Sequence, residues 1–125
     1  MQKLQNFAGK VAVGGARRTD HASPIIERLK WLPIDKKYIY EVSMFIYKVK
    51  AQEVPEWLFE FPTANDVRGT AVVTRQNNKL FIPRTRTNNG ARSLFVEGPR
   101  LWNALPDGIR NCQTISTFSK ELYHY

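Results

Sequence analysis

The stretch RSLFVEGPRLWNALPDGIRN, from Arg92 to Asn111, decides how this chain reads, because it is the densest run of large apolar residues set among turn signals. Leu94, Phe95, Val96, Leu101, Trp102, Leu105 and Ile109 supply the apolar content. Extended residues Ser93 to Phe95, followed by Glu97 and Gly98, lead to Pro99, which suits the first position of a helix. Pro106 keeps that helix short. Leu101, Trp102 and Leu105 then share one face and should be buried, leaving Arg100 and Asn103 on the other side. The remainder of the chain is expected to pack on this segment.

Upstream, KLFIPRTRTNNGA (Lys79 to Ala91) reads as a basic β-hairpin. Leu80 and Ile82 alternate with Phe81, Pro83 marks an edge strand, and Asn89-Gly90 suits a two-residue turn in which both residues take positive φ. Arg84 and Arg86 would point to one face, with Arg92 returning beside them. No acid lies between Asp66 and Glu97, while Arg68, Arg75, Lys79, Arg84, Arg86 and Arg92 all do. Arginine predominance favours bidentate phosphate contacts; a strand edge guarded by charge against aggregation is the alternative.

Toward the N-terminus, Leu4, Phe7, Ala8 and Val11 keep helical spacing, so a helix from about Gln2 to Val13 should bury that face and stop at Gly14-Gly15. Gly9 should weaken it. Lys3, Lys10, Arg17 and Arg18 precede the first acid, Asp20, and could lie along a phosphate backbone or form a solvated face. Ser23-Pro24 starts a short helix with Ser23 as cap, stopped by Pro33 after Trp31 and Leu32. His21 is an ordinary surface histidine. Asp35 caps a long helix, Lys36 to about Gln52, in which Ile39, Val42, Phe45, Ile46 and Val49 keep period and Tyr38, Tyr40, Met44 and Tyr47 widen the apolar face. Pro55 to Phe61 reads as a short helix or turn with Trp57 and Leu58 inward. Residues 63–78 read as a polar linker with one extended piece at Thr70 to Thr74. At the end, Thr114 or Ser116 caps a docking helix carrying Phe118 and Leu122.

The fold class that follows is mainly α with a small β-hairpin: a helical bundle over 1–62, the linker over 63–78, and over 79–125 the basic hairpin, the Trp102 segment and a short C-terminal helix, expected to pack as one unit. The expected core is Trp31, Leu32, Ile39, Val42, Phe45, Ile46, Phe95, Leu101, Trp102, Leu105 and Phe118. Lys3, Lys10, Arg17, Arg18, Arg75, Lys79, Arg84, Arg86 and Arg92 are the candidate nucleic-acid contacts.

With 125 residues, 42% hydrophobic and 24% charged, the chain has the composition of one globular domain. Its formal charge of +8 points to a polyanion, RNA or DNA before a membrane, or simply to a soluble surface. A lone Cys112 and two histidines, His21 and His124, offer neither an internal disulfide nor a zinc set. No signal-peptide pattern follows Met1, and no apolar run approaches the roughly 18 residues that span a bilayer. An intracellular location, nuclear or cytoplasmic, is expected. Asp20, Asp35, Asp66 and Asp107 are scattered, so no pair of carboxylates is set to hold two magnesium ions, and no catalytic residue or cofactor is expected on this chain.

Five motifs in order also carry a family resemblance. LQNFAGKVAVGG (Leu4 to Gly15), LKWLPIDKKYIYEVSMFIYKV (Leu29 to Val49), VPEWL (Val54 to Leu58), IPRTRTNNGARSLF (Ile82 to Phe95) and GPRLWNALPDGIRN (Gly98 to Asn111), followed by TISTFSKEL, resemble the C-terminal region of reverse transcriptases of LINE-type (non-LTR) retrotransposons. Trp57 stands where that family usually carries tyrosine, and a zinc knuckle found in some of its tails is lacking. The resemblance implies a thumb-like and tail region downstream of the polymerase palm. Such a region grips template and primer while the paired aspartates and magnesium belong to the palm. It also implies that the chain is a piece, truncated or degenerate, of such an element. Two other expectations stand beside it: a structural or protein-interaction module docking on upstream polymerase domains, or an open reading frame with no activity.

Overall fold

A computed structural model describes residues 1–55, 60–69 and 79–125. The protein is mainly helical, with eight helices among the described residues. It divides into two compact units, Met1–Ile39 and Tyr40–Tyr125, the boundary falling within one long helix.

In the first unit, α1 (Gln2–Val13) ends where expected: Gly14 takes φ 65° and its N–H bonds Val11 O at 3.1 Å. Its orientation is a correction. Leu4, Phe7, Ala8 and Val11 face outward, with Leu4 and Phe7 both 68% exposed, and the inward face is Gln2, Gln5, Asn6, Gly9 and Val13. Gly9 is the contact point, because a Cβ there would lie 3.0 Å from Ile26 Cδ1. The glutamines explain why a polar face turns in. Gln2 Oε1 accepts the Ile34 N–H at 3.2 Å and Gln5 donates to Leu32 O, satisfying backbone groups where the next long helix begins.

Helix α2 (Ser23–Arg28) has Ala22 at its N-cap, so Ser23 is its first residue and caps nothing, while Pro24 sits in the first turn. Lys30, not Pro33, turns the chain out, with φ 54° and a Trp31 N–H bond to Ile26 O at 3.0 Å. Trp31 therefore lies in the connection and is 39% exposed, outside any core, while Leu32 and Ile39 are half-buried. Helix α3 (Ile34–Lys50) starts slightly earlier than expected: Pro33 O accepts the Lys37 N–H at 2.8 Å, and Asp35 lies in the first turn instead of capping. There its charge favours the positive helix end.

The second unit holds the core: Val42, Ile46, Phe61, Leu80, Trp102, Leu105, Ile109, Phe118 and Leu122. Trp102 is 1% exposed, and Phe118 stacks on Tyr47 with ring centres 4.4 Å apart. Phe45 and Leu101 pack half-buried against this group. Phe95, half exposed with its ring 6.2 Å from that of Phe61, sits at the margin and not in the core.

Phe61 ends the segment that was expected to be a helix from Pro55; Trp57 and Leu58 lie outside the described residues. The expected linker begins with a helix, α4 (Ala64–Arg68). Thr63 and Asp66 form a reciprocal capping box at its start, and Gly69 at φ 63° ends it. The Thr63 hydroxyl and N–H, at 2.7 and 2.8 Å, hold the Asp66 carboxyl below its usual range. This cap is intact above the ordinary carboxylate range and loosens as pH falls through the lowered value. The extended piece expected at Thr70 to Thr74 lies outside the described residues.

The hairpin is absent. Residues after the isolated Thr63–Leu80 bridge run irregularly into a helical turn, α5 (Asn88–Ala91). Thr87 caps it, Oγ1 accepting the Gly90 N–H at 3.1 Å, and neither Asn89 nor Gly90 takes the positive φ a hairpin turn needs. Helix α6 (Leu94–Ala104) follows an extended Ser93 at its N-cap and carries Pro99 inside, where the sequence reads as a start. Gly98 makes this possible. Lacking a Cβ, it is spared the side-chain part of the clash that drives a residue before proline out of the helical region. It also lets Ile46 approach, with Cδ1 3.2 Å from where a Cβ would stand. Two helices complete the unit: α7 (Asp107–Arg110) and α8 (Ile115–His124), the latter capped by Thr114 and burying Phe118 and Leu122.

Candidate nucleic-acid interface

The basic arm of the second unit is rooted in the core at Leu80, which is buried. Asn103, expected on the solvent side of its helix, instead grips Leu80: its Oδ1 accepts the Leu80 N–H at 2.8 Å and its Nδ2 donates to Leu80 O at 2.9 Å. On either side, Lys79 O accepts the Ala64 N–H at 3.2 Å and the Phe81 N–H bonds Pro62 O at 2.9 Å. A single amide thus does for Leu80 what a neighbouring strand does in a sheet.

From that root the cations diverge from expectation. Lys79 is half-buried at the root itself. Arg84 and Arg86 are exposed on the irregular run before α5, and Arg92, also exposed, closes α5 with its N–H on Asn89 O. Arg86 and Arg92 therefore flank one helical turn and do not face each other across paired strands. The ion pairs Glu97–Arg100 and Asp107–Arg110 of this unit engage none of these arginines. Arg75 lies outside the described residues.

The first unit gathers its own basic group. Lys3, Lys10 and Arg18 line one groove together with Phe7, Val11 and Gly14, and Lys10 Nζ donates to Arg18 O at 2.8 Å. Arg17 is exposed beside it, its backbone N–H held by Asp20 Oδ2 at 2.7 Å. Eight of the nine expected contacts are described, and they fall into these two groups.

Two further cations carry chemistry that no spacing in the sequence announced. Lys50, at the end of α3, sets its ammonium 5.0 Å from the centre of the Trp102 ring. Burial first, and the neighbouring Arg110 charge second, lower its pKa from the usual lysine value. Arg110 ends α7 with a side chain only 6% exposed.

Among the described residues no group of three or more His, Cys, Asp or Glu stands ready to hold a metal ion, and no helix is long and apolar enough to cross a membrane. No family model, curated protein or solved structure matches the chain.

Proposed function

We propose that the chain is the post-palm, thumb-like and tail portion of a LINE-type reverse transcriptase. In this reading it holds RNA or DNA template-primer through sequence-tolerant phosphate contacts and catalyses nothing by itself. The magnesium-dependent chemistry belongs to the palm of the longer protein. The observation that carries this reading is an acid-free run of exposed arginines, Arg84, Arg86 and Arg92, rooted through Leu80 and Asn103 in the core around Trp102. Guanidinium groups without carboxylate partners on a fixed root suit backbone contact, which positions a strand without reading its bases.

Filter binding of RNA and DNA duplexes across salt tests it. With about five phosphates neutralised, log K falls against log salt with a slope of about −4 to −5. Replacing Arg84, Arg86 and Arg92 together by glutamine flattens that slope by about 3. Weak binding indifferent to salt sinks the proposal.

A second reading, a protein-interaction module docking on upstream polymerase domains, draws on the outward apolar face of α1, where Leu4, Phe7 and Val11 are exposed. Supplying the palm segment in trans should then raise the unfolding temperature of the chain; an unchanged transition removes that reading.

A further inference from the structure

The second unit holds a charged group that the arginine arm does not use. Arg110 is nine-tenths buried, and its Nε and Nη1 are buried without a hydrogen-bond partner. Its Nη2 pairs with Asp107 Oδ1, from a carboxylate that is itself 82% exposed. Lys50 brings a second cation, seated over the Trp102 ring. Asp107 is thus the carboxylate paired with Arg110, and it faces solvent. A guanidinium withdrawn from water is tolerated when its donors are all engaged, and here they are not.

We propose that Arg110 and Lys50 form a seat for a phosphate dianion, with Asp107 as the resident counter-ion that yields Nη2 when phosphate enters. Two features favour phosphate over a carboxylate. Two positive charges balance a dianion once Asp107 has turned away; a phosphate offers three strong acceptor oxygens to the guanidinium and the ammonium together. Asp107 lies one turn from Arg110 on the solvent side of a four-residue helix, so it can leave without disturbing the core. Lys50 is an exposed residue as a whole, so its side chain can carry the ammonium from the Trp102 ring toward the incoming group. Burial first and the neighbouring Arg110 charge second lower the Lys50 pKa, so the two cations lie within reach of each other's field. The seat does not depend on the arm: its residues are different, and it stands or falls separately.

The test is thermal unfolding of the full chain near neutral pH in sodium phosphate and in sodium chloride of equal ionic strength, each variant referred to its own chloride baseline. Wild type should unfold at higher temperature in phosphate. K50Q should bind phosphate about tenfold more weakly, the loss of one charged hydrogen bond. D107N, which removes the competing carboxylate, should bind it more tightly. Because the Arg110 side chain is buried, the substitutions at Lys50 and Asp107 carry the test. A wild-type chain that responds to phosphate no more than to chloride, or a K50Q response equal to wild type, overturns the seat; a D107N response equal to wild type overturns the role given to Asp107. A second arm identifies the source of the phosphate. If a 5′-phosphorylated oligonucleotide binds more tightly than its unphosphorylated twin, and K50Q alone abolishes the difference, the ligand is a terminal phosphate of nucleic acid. If wild type binds the two equally while responding to inorganic phosphate, the ligand is free phosphate.

Discussion

Helices α1 and α6 both carry an apolar stripe at helical spacing and both pack through a glycine, yet one stripe is bare and the other is the centre of a core. In α6 the glycine and the stripe coincide: Gly98 lies beside Val96, Pro99 and Trp102, all buried, and admits Ile46 to close contact. In α1 they are opposed. Gly9 turns toward Ile26 with Gln2, Gln5 and Asn6, while Leu4, Phe7 and Val11 look outward. Periodicity tells which side chains share a face; the close-approach residue and the backbone groups awaiting partners decide which face turns in. In α1 two unsatisfied backbone groups, at Leu32 and Ile34, outweigh the pull of the stripe.

The most damaging way to attack the α6 side is Trp102→Ala. Trp102 touches the stacked Phe118, 5.7 Å between ring centres, and lies beneath Lys50. Its removal should cost about 4 kcal/mol in urea unfolding. A cost below about 1 kcal/mol would mean that this core collapses around the gap and is far looser than its burial implies.

Next in size is Asn103→Ala, which leaves the Leu80 N–H and C=O without their side-chain partner. About 2 kcal/mol should be lost, and hydrogen exchange at the Leu80 amide should accelerate. This variant also joins core to function, since freeing Leu80 frees the root of the arginine arm. Salt-dependent binding should weaken even though every arginine remains.

A smaller change, of opposite sign, is Ser43→Ala. Ser43 is fully buried on α3 and its Oγ has no hydrogen-bond partner. Removing the hydroxyl should stabilise the second unit by roughly 1 kcal/mol, visible as a raised urea midpoint at unchanged slope. A loss of stability would show that Oγ is satisfied in solution.

These residues mark how far the sequence could be read. Helix ends were legible where a residue has one conformational use, as at Gly14-Gly15 after α1; before α8 the sequence offers Thr114 or Ser116, and Thr114 is the cap. They failed where a residue has two. Pro99 reads as a helix start, but Gly98 eases the clash that normally makes proline a boundary. Asn89-Gly90 reads as a hairpin turn, but Thr87 caps a helical turn first, and local capping outcompetes a strand pairing that must be closed over distance. For the candidate site, the acid-free run shows which residues are charged and not which stand together. Arg84, Arg86 and Arg92 flank a turn instead of forming a ridge across strands. Asn103 and the Lys50–Arg110 pair escaped altogether, because each acts on a neighbour far away in sequence: Leu80 for the first, Trp102 and each other for the second.

The smallest expected effect tests the other half of the contrast. If the α1 stripe is bare, replacing Phe7 and Val11 together by serine removes little buried apolar surface, and stability should move by no more than about 0.5 kcal/mol. The inward face predicts the reverse sensitivity: Gln5→Ala, which strips a donor from Leu32 O, should cost more than losing the phenylalanine. Unfolding curves of the two variants, recorded at low and high protein concentration, decide between the alternatives. Should the serine variant lose several times that amount at high concentration only, the stripe is covered by a second copy of the chain. Equal losses at both concentrations would mean that the stripe packs within its own chain and that α1 is rolled about its axis. The glutamines would then be the solvated face, and the rule drawn from α1, that waiting backbone groups outrank an apolar stripe, would not hold for this protein.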